Sequence, residues 1–181
     1  MIGVLSLQGA ISEHAHVLNQ IGVKSKPILN RDDLNGIDGL IIPGGESTAI
    51  KKLMAYNHLF PAIKQLIQDG LPTFGTCAGM VLLSQPDSFD MLPATVVRNG
   101  FGRQQQSFEA DLTFKALAKP FHAVFIRAPY LKNVADNVKV LASIEDKVVA
   151  VAKDHVLATA FHPELTGDVR LHEYFIDHFV H

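Results

Sequence analysis

The chain is short of nearly every feature that marks a specialised environment. It has one cysteine in 181 residues, so no internal disulfide can form, and this points to a reducing, cytoplasmic setting. No apolar run approaches the roughly 20 residues that a membrane helix needs. The opening residues, MIGVLSLQGA, lack the positive stretch that precedes the apolar core of a signal peptide. Charge of one sign is also missing: 16 basic residues against 18 acidic ones leave a net charge of −2. That balance argues against a nucleic-acid partner, and no basic amphipathic segment suggests a membrane surface. There is no repeat, low-complexity stretch or obvious linker. With 48% hydrophobic and 19% charged residues, the chain has an ordinary globular composition, and its length fits one domain over residues 1–181.

What is present is an alternation of short apolar strands and helical patterns. Strands are expected at Ile2–Leu7, Val23–Leu29, Gly39–Ile42 and Leu71–Gly75, with helices over 10–21, 47–56, 59–69 and from Cys77 to Ser84. This order predicts a mostly parallel, twisted sheet with helices on both faces. The middle of the chain changes character. Strand patterns follow one another at 94–98, 104–112, 121–127, 137–145, 147–153 and 155–161, and predict an antiparallel extension of that sheet. A last helix is expected over 168–180, with an apolar face of Leu171, Tyr174, Phe175, Ile176 and Phe179.

The single cysteine sits in Gly75-Thr-Cys77-Ala-Gly79, after an apolar strand and before a helical run. A sharp turn there lifts a nucleophile above the sheet, and small neighbours are needed because the turn is crowded. The helix N-terminus supplies positive partial charge and free N–H groups that stabilise a thiolate. The N–H of Ala78 is a candidate donor to a developing oxyanion. The bland alternative is a buried hydrophobic cysteine.

His162-Pro163-Glu164 follows the last strand pattern. Pro163 disfavours helical geometry at His162, and in an extended segment residues two apart share a side. Glu164 is thereby placed to orient the His162 ring as the third member of a triad. Of the nine histidines, the others lack such a setting. His14 and His16 read as helix-surface residues, and His178 and His181 as sharing a terminal turn with too few ligands for a metal.

Pro43-Gly-Gly-Glu-Ser-Thr48 runs from a strand into a helix start. Glycine lets a backbone N–H point inward, so Gly45 is a second candidate oxyanion donor, and Ser47 reads as a helix cap and substrate contact. A plain strand–turn–helix connection, or a phosphate loop, is the alternative. A Walker loop is excluded because no Gly-Lys-Ser/Thr follows. Arg98-Asn-Gly-Phe-Gly-Arg103 and Phe125-Ile126-Arg127-Ala-Pro129 each place an arginine where it can clamp a carboxylate, or simply lie exposed in a loop.

Taken together, Gly75-Thr-Cys77-Ala-Gly79 and His162-Pro-Glu164 resemble the class I (triad) glutamine amidotransferases. Leu7-Gln8-Gly9-Ala10-x-x-Glu13-His14, Pro43–Thr48, Arg98–Gln104 and Phe125–Pro129 are similar to the narrower family of glutaminase subunits of pyridoxal 5′-phosphate synthase. The resemblance spans the first strand to Glu164. It implies a flavodoxin-like fold and hydrolysis of L-glutamine through Cys77, His162 and Glu164, with no cofactor and no metal. Gly45, Glu46, Ser47, Arg103, Ile126 and Arg127 would contact glutamine. Gln8, Gly9, Ala10, Glu13 and His14 would lie near the docking surface for a (β/α)8 synthase subunit, in a large hetero-oligomer. Gly100 departs from the family, where a serine is usual. The competing readings are a glutaminase of another amidotransferase, such as the one feeding imidazole glycerol phosphate synthase, a non-catalytic binding subunit, and an esterase built on the same elbow.

Overall fold

The computed structural model describes residues 1–103 and 106–180. The elements alternate at first: β1 (Ile2–Leu5), α1 (Ile11–Gln20), β2 (Ser25–Ile28), β3 (Gly39–Ile42), α2 (Ser47–Tyr56), α3 (Phe60–Gln68), β4 (Thr73–Thr76) and α4 (Ala78–Ser84). Strands then dominate, with β5 (Thr95–Val97), β6 (Ser107–Leu112), β7 (Phe121–Ile126), β8 (Tyr130–Lys132), β9 (Lys139–Ile144), β10 (Lys147–Lys153) and β11 (Val156–Thr159), before α5 (Arg170–Phe179). The expected elements all occur, most of them trimmed by one to three residues at an end. The first two residues of the strand expected over 104–112 lie outside the described residues, as does His181.

The main sheet runs β2-β1-β3-β4-β11-β10-β8-β5, with β9 also paired to β10. From β2 to β11 every pairing is parallel, and from β11 onward every pairing is antiparallel. Burial differs between the two halves. β1, β3, β4 and β11 are buried at every position, as strands covered on both faces must be. At the antiparallel end β5 has no buried residue and β8 buries only Leu131.

Period-two alternation along β4 identifies the two covering layers. Phe74 packs its ring 5.7 Å from His172 and 5.5 Å from Phe175 of α5, and Thr76, two residues on, meets His14 of α1. Gly75 faces the other way, where an added Cβ would come within 2.6 Å of Leu83 in α4. Helices α1 and α5 therefore cover one face and α4 the other, with α2 packed beside α4 and α3 beside α2.

Two expectations need correction. The later strands do not all extend the sheet, because β6 and β7 pair only with each other, from Ser107↔Ile126 to Leu112↔Phe121. Buried Phe121 and Phe125 turn this hairpin's inner face onto Phe161, so packing rather than strand pairing holds it. The sequence reading also lacks β8, whose three residues are too few for a periodic signal.

Helix α4 lies unusually close to the sheet. A Cβ on Gly79 would sit 2.2 Å from the Ile42 carbonyl oxygen, a backbone atom with no rotamer to move. Gly79→Ala should therefore lower stability by about 1–3 kcal/mol or more in chemical denaturation, as overpacking does. Gly167→Ala, where nothing lies within 4 Å, should stay within about 0.5 kcal/mol of wild type. Equal effects would mean that α4 is free to slide.

Candidate active site

The sheet order brings four strand ends together. β1, β3, β4 and β11 are consecutive and parallel, so the segments after them emerge side by side. This is where sites gather in open α/β sheets. After β1 comes Gln8-Gly9, after β3 Gly44-Gly45, after β4 Cys77, and after β11 His162. They border a cavity of about 320 Å³ that includes Gly45, Glu46, Ser47, Cys77, Arg127 and His162, a volume at the small-ligand end of known binding sites.

Cys77 occupies the turn between β4 and α4 at φ 50, ψ −102. A non-glycine residue rarely holds a positive φ, and such strain is found where a turn must aim a side chain. The conformation is held by a hydrogen bond from Cys77 N–H to the Thr159 carbonyl, 2.7 Å long, itself fixed by the Thr159↔Thr76 register of β11 on β4. Ala78 opens α4, where backbone N–H groups have no intrahelical acceptor. The sulfur lies 3.9 Å from the Ile126 carbonyl oxygen, a weak contact for a thiol donor.

His162 is 7% exposed and Glu164 5% exposed. His162 N–H donates to the Val124 carbonyl at 2.9 Å, so the β6–β7 hairpin anchors its backbone. Its Nδ1 is 2.7 Å from Glu164 Oε1. The contact expected from sequence exists, but its geometry differs: Pro163–Leu165 form a 3-10 turn, so Glu164 reaches the ring by curling back and not along an extended strand. Burial works against a charged ring. The neighbouring Cys77 and Glu164 outweigh it and push the His162 pKa up to about 10. Gly44 keeps the space between them open, since a Cβ there would stand 2.4 Å from His162 Cε1 and 3.3 Å from Cys77 Cβ.

The glycine loop is braced from β1. Gln8 Oε1 accepts from Glu46 N–H at 2.7 Å. A Cβ on Gly9 would fall 1.6 Å from the Gly44 oxygen, so that carbonyl points at Gly9. The N–H of Gly45, across the same trans peptide, points the opposite way. Glu46, not Ser47, caps α2: its oxygens accept from Thr48 N–H at 3.0 Å and Ala49 N–H at 2.7 Å. These bonds, Thr48's first, hold its carboxyl below the usual range, with Arg98 at 2.9 Å assisting. Ser47 is the first helical residue, buried and facing the cavity.

The remaining expected contacts divide. Ile126 and Arg127 line the cavity, Arg127 at φ 42. Arg103 does not. It is exposed and lines a neighbouring hollow with Asn99, Phe101, Gln106 and Arg127. Arg98, which opens the same motif, stands at the Cys77 cavity in its place. Gly9 and Ala10 also line it. His14 is not a surface residue: it is 0% exposed, bonded within the core, and its side chain cannot form part of a docking face. Gly100 has a local cause, since a Cβ there would meet Tyr130 Cδ1 at 2.2 Å. Among the described residues no His, Cys, Asp and Glu cluster has metal-binding geometry, and no helix is long and apolar enough to cross a membrane.

A group whose folded pKa exceeds its unfolded value near 6.5 stabilises the fold below that value and loses its contribution as pH rises toward 10. Thermal stability should thus fall between pH 7 and pH 10, and His162→Gln should flatten the decline. Parallel declines in the two proteins would show that His162 is not charged in the fold.

The comparisons with known proteins agree with this geometry. Residues 4–181 match the SNO glutamine amidotransferase family. The chain is 48% identical over 185 residues to the pyridoxal 5′-phosphate synthase subunit PdxT of Listeria innocua, covering 99% of this chain and 98% of that protein. It is 50% identical over 182 residues to the PdxT subunit of Moorella thermoacetica, covering 97% of each. A solved structure described as a glutamine amidotransferase superposes with a TM-score of 0.90 at 42% identity, over 97% of both chains. By motif, fold and similarity along nearly its whole length, the chain belongs to the SNO glutamine amidotransferase family.

Proposed function

We propose that this chain hydrolyses L-glutamine to L-glutamate and ammonia, with residues 1–181 acting as one glutaminase domain that feeds ammonia to a pyridoxal 5′-phosphate synthase subunit. The observation that carries the chemistry is the buried His162–Glu164 contact of 2.7 Å next to a cysteine held at a strained elbow. Two names of relatives, both pyridoxal 5′-phosphate synthase subunits, support the choice of pathway.

In this reading Cys77 gives its proton to His162 and, as the thiolate, attacks the side-chain amide carbon of glutamine. A C–S bond forms, and the carbonyl oxygen becomes an oxyanion. The N–H groups of Ala78 and Gly45 receive it, each worth roughly 3 kcal/mol in comparable sites. The His162 imidazolium then delivers its proton to the amide nitrogen, and the C–N bond breaks to release ammonia. The glutamyl thioester that remains is attacked by water, from which His162 takes a proton, and glutamate leaves with the sulfur restored. Glu164 orients the imidazole and balances its charge. Ser47, Glu46, Ile126 and Arg127 border the substrate. Arg103 reaches glutamine only if its loop moves from the adjoining hollow, and Arg98 is the nearer cation.

Released ammonia is readily protonated and then no longer a nucleophile, so a tight partner with an enclosed route suits this chemistry. A (β/α)8 synthase subunit in a large hetero-oligomer is the partner proposed. Gln8, Gly9, Ala10 and Glu13, none of them buried, supply its docking edge. A silent binding subunit would have no use for the strain at Cys77.

Cys77→Ala should abolish ammonia release from glutamine in a coupled glutamate assay while leaving the melting curve near wild type. Appreciable residual turnover would remove Cys77 from this role. Adding the synthase subunit should raise the wild-type rate, and the same rate with and without it would count against activation by docking.

A further inference from the structure

Beyond the cavity lining lies a second set of polar side chains, sealed in the core between the sheet and its α1–α5 layer. His14, Thr76 and His172 are each 0% exposed. His14 Nδ1 lies 2.9 Å from His172 Nε2, and His14 Nε2 lies 3.1 Å from Thr76 Oγ1. The same Nε2 is 3.5 Å from Glu164 Oε2. That oxygen is buried with no hydrogen-bond partner among the described residues, while its twin, Oε1, takes the 2.7 Å bond from His162.

A buried carboxylate oxygen without a donor is costly. His14 Nε2 is the group in place to satisfy Oε2.

The proton positions on the two histidines follow from one orphan atom. His172 Nδ1 is buried and has no partner among the described residues. If His14 carried its proton on Nδ1, it would donate to His172 Nε2. His172 would then bear its own proton on the orphan Nδ1, and His14 would aim a lone pair at a carboxylate. If His172 instead donates from Nε2 to His14 Nδ1, the His14 proton sits on Nε2, shared between Thr76 Oγ1 and Glu164 Oε2. Only this second arrangement directs every N–H at an acceptor. Burial pushes the His14 pKa well below its ordinary value and that of His172 down to about 4, so both rings are neutral near pH 7 and each carries a single proton.

We propose that His14 is a positioning residue for glutamine hydrolysis: its Nε2–H, oriented by His172, holds the second oxygen of Glu164 and keeps that carboxylate turned toward His162. This extends the triad inward through α1 to α5, and it rests on the triad reading given above. The long 3.5 Å separation suits a free enzyme, in which catalytic hydrogen bonds tighten only when substrate is bound.

The test compares His14→Leu with His14→Gln in the full chain, assayed for ammonia release with and without the synthase subunit. The glutamine amide nitrogen can stand where imidazole Nε2 stands, and leucine has no donor. H14L should lose kcat by tenfold or more with KM within about twofold, and H14Q should recover most of that loss at a similar melting temperature. Wild-type turnover in H14L, or equal losses in both variants that track their melting temperatures, would overturn the proposal. A wild-type chain that does not hydrolyse glutamine would instead remove the triad reading beneath it. Should H14L fail to fold, nitrogen-15 histidine spectra of the wild-type protein decide the matter. The proposal requires the His14 proton on Nε2 and an unprotonated Nδ1, and the opposite tautomer rules it out.

Discussion

The turn at Cys77 is the constraint from which the rest of this structure follows. A positive φ at a residue with a Cβ stores on the order of 1–3 kcal/mol, and it persists only where the surroundings leave the chain no alternative. Here β4 is held on both sides, by β3 and by β11, and α4 starts one residue after the bend. The helix then runs so close to the sheet that Gly75 and Gly79 have no room for a side chain. Each of these features is explicable only with the others: the glycines permit the close approach, and the close approach fixes the bend. The bend in turn presents the sulfur to the cavity and an unpaired helix N-terminus beside it.

The same register places the second half of the site. Thr159 pairs with Thr76 and also accepts from Cys77 N–H, so His162, three residues further, cannot drift from the sulfur without breaking a parallel ladder. Charges then divide by depth. Glu46 and Arg98 meet at the rim with about half of each side chain exposed, where an ion pair is worth roughly 0–1 kcal/mol, and the capping bonds of Glu46 do more for α2 than its pairing does. His162 and Glu164 meet in the interior. There the loss of either partner leaves an uncompensated charge at a cost of about 3–5 kcal/mol.

Local signals were legible and long-range ones were not. The elbow and the His-Pro-Glu run are short motifs read from adjacent residues, and the structure sets Cys77 in a strand–helix turn and His162 beside Glu164. The parallel half of the sheet followed from alternation. The β6–β7 hairpin was assigned to the wrong sheet because strand periodicity says nothing about which edge a strand joins. Ser47 was read as the cap because hydroxyls usually serve; the carboxylate one residue earlier does so instead. The misplacement of His14 is the most instructive. Its helix buries His14, Val17 and Leu18, a spacing of three and four residues that marks a core-facing stripe. The periodic signal was present, and the polarity of histidine concealed it. No local pattern joins His14 to His172, which lies 158 positions away.

One short stretch carries an unusual share of these constraints. Gln8 receives Glu46 N–H, Gly9 leaves no gap against the Gly44 carbonyl, and His14 closes on Glu164. The β1–α1 connection thus touches the glycine loop on one side of the cavity and the carboxylate behind the opposite side. Gly9 has no side chain to bend out of the way, so the Gly44 carbonyl, which already points at it, cannot come closer unless one backbone moves. A displacement of this connection therefore acts on the loop directly, through hard backbone contact. Its action on Glu164 is softer, because it passes through hydrogen bonds of 2.9–3.1 Å and one longer approach of 3.5 Å. The loop that would receive the oxyanion is accordingly more tightly tied to the position of α1 than the base and its carboxylate are.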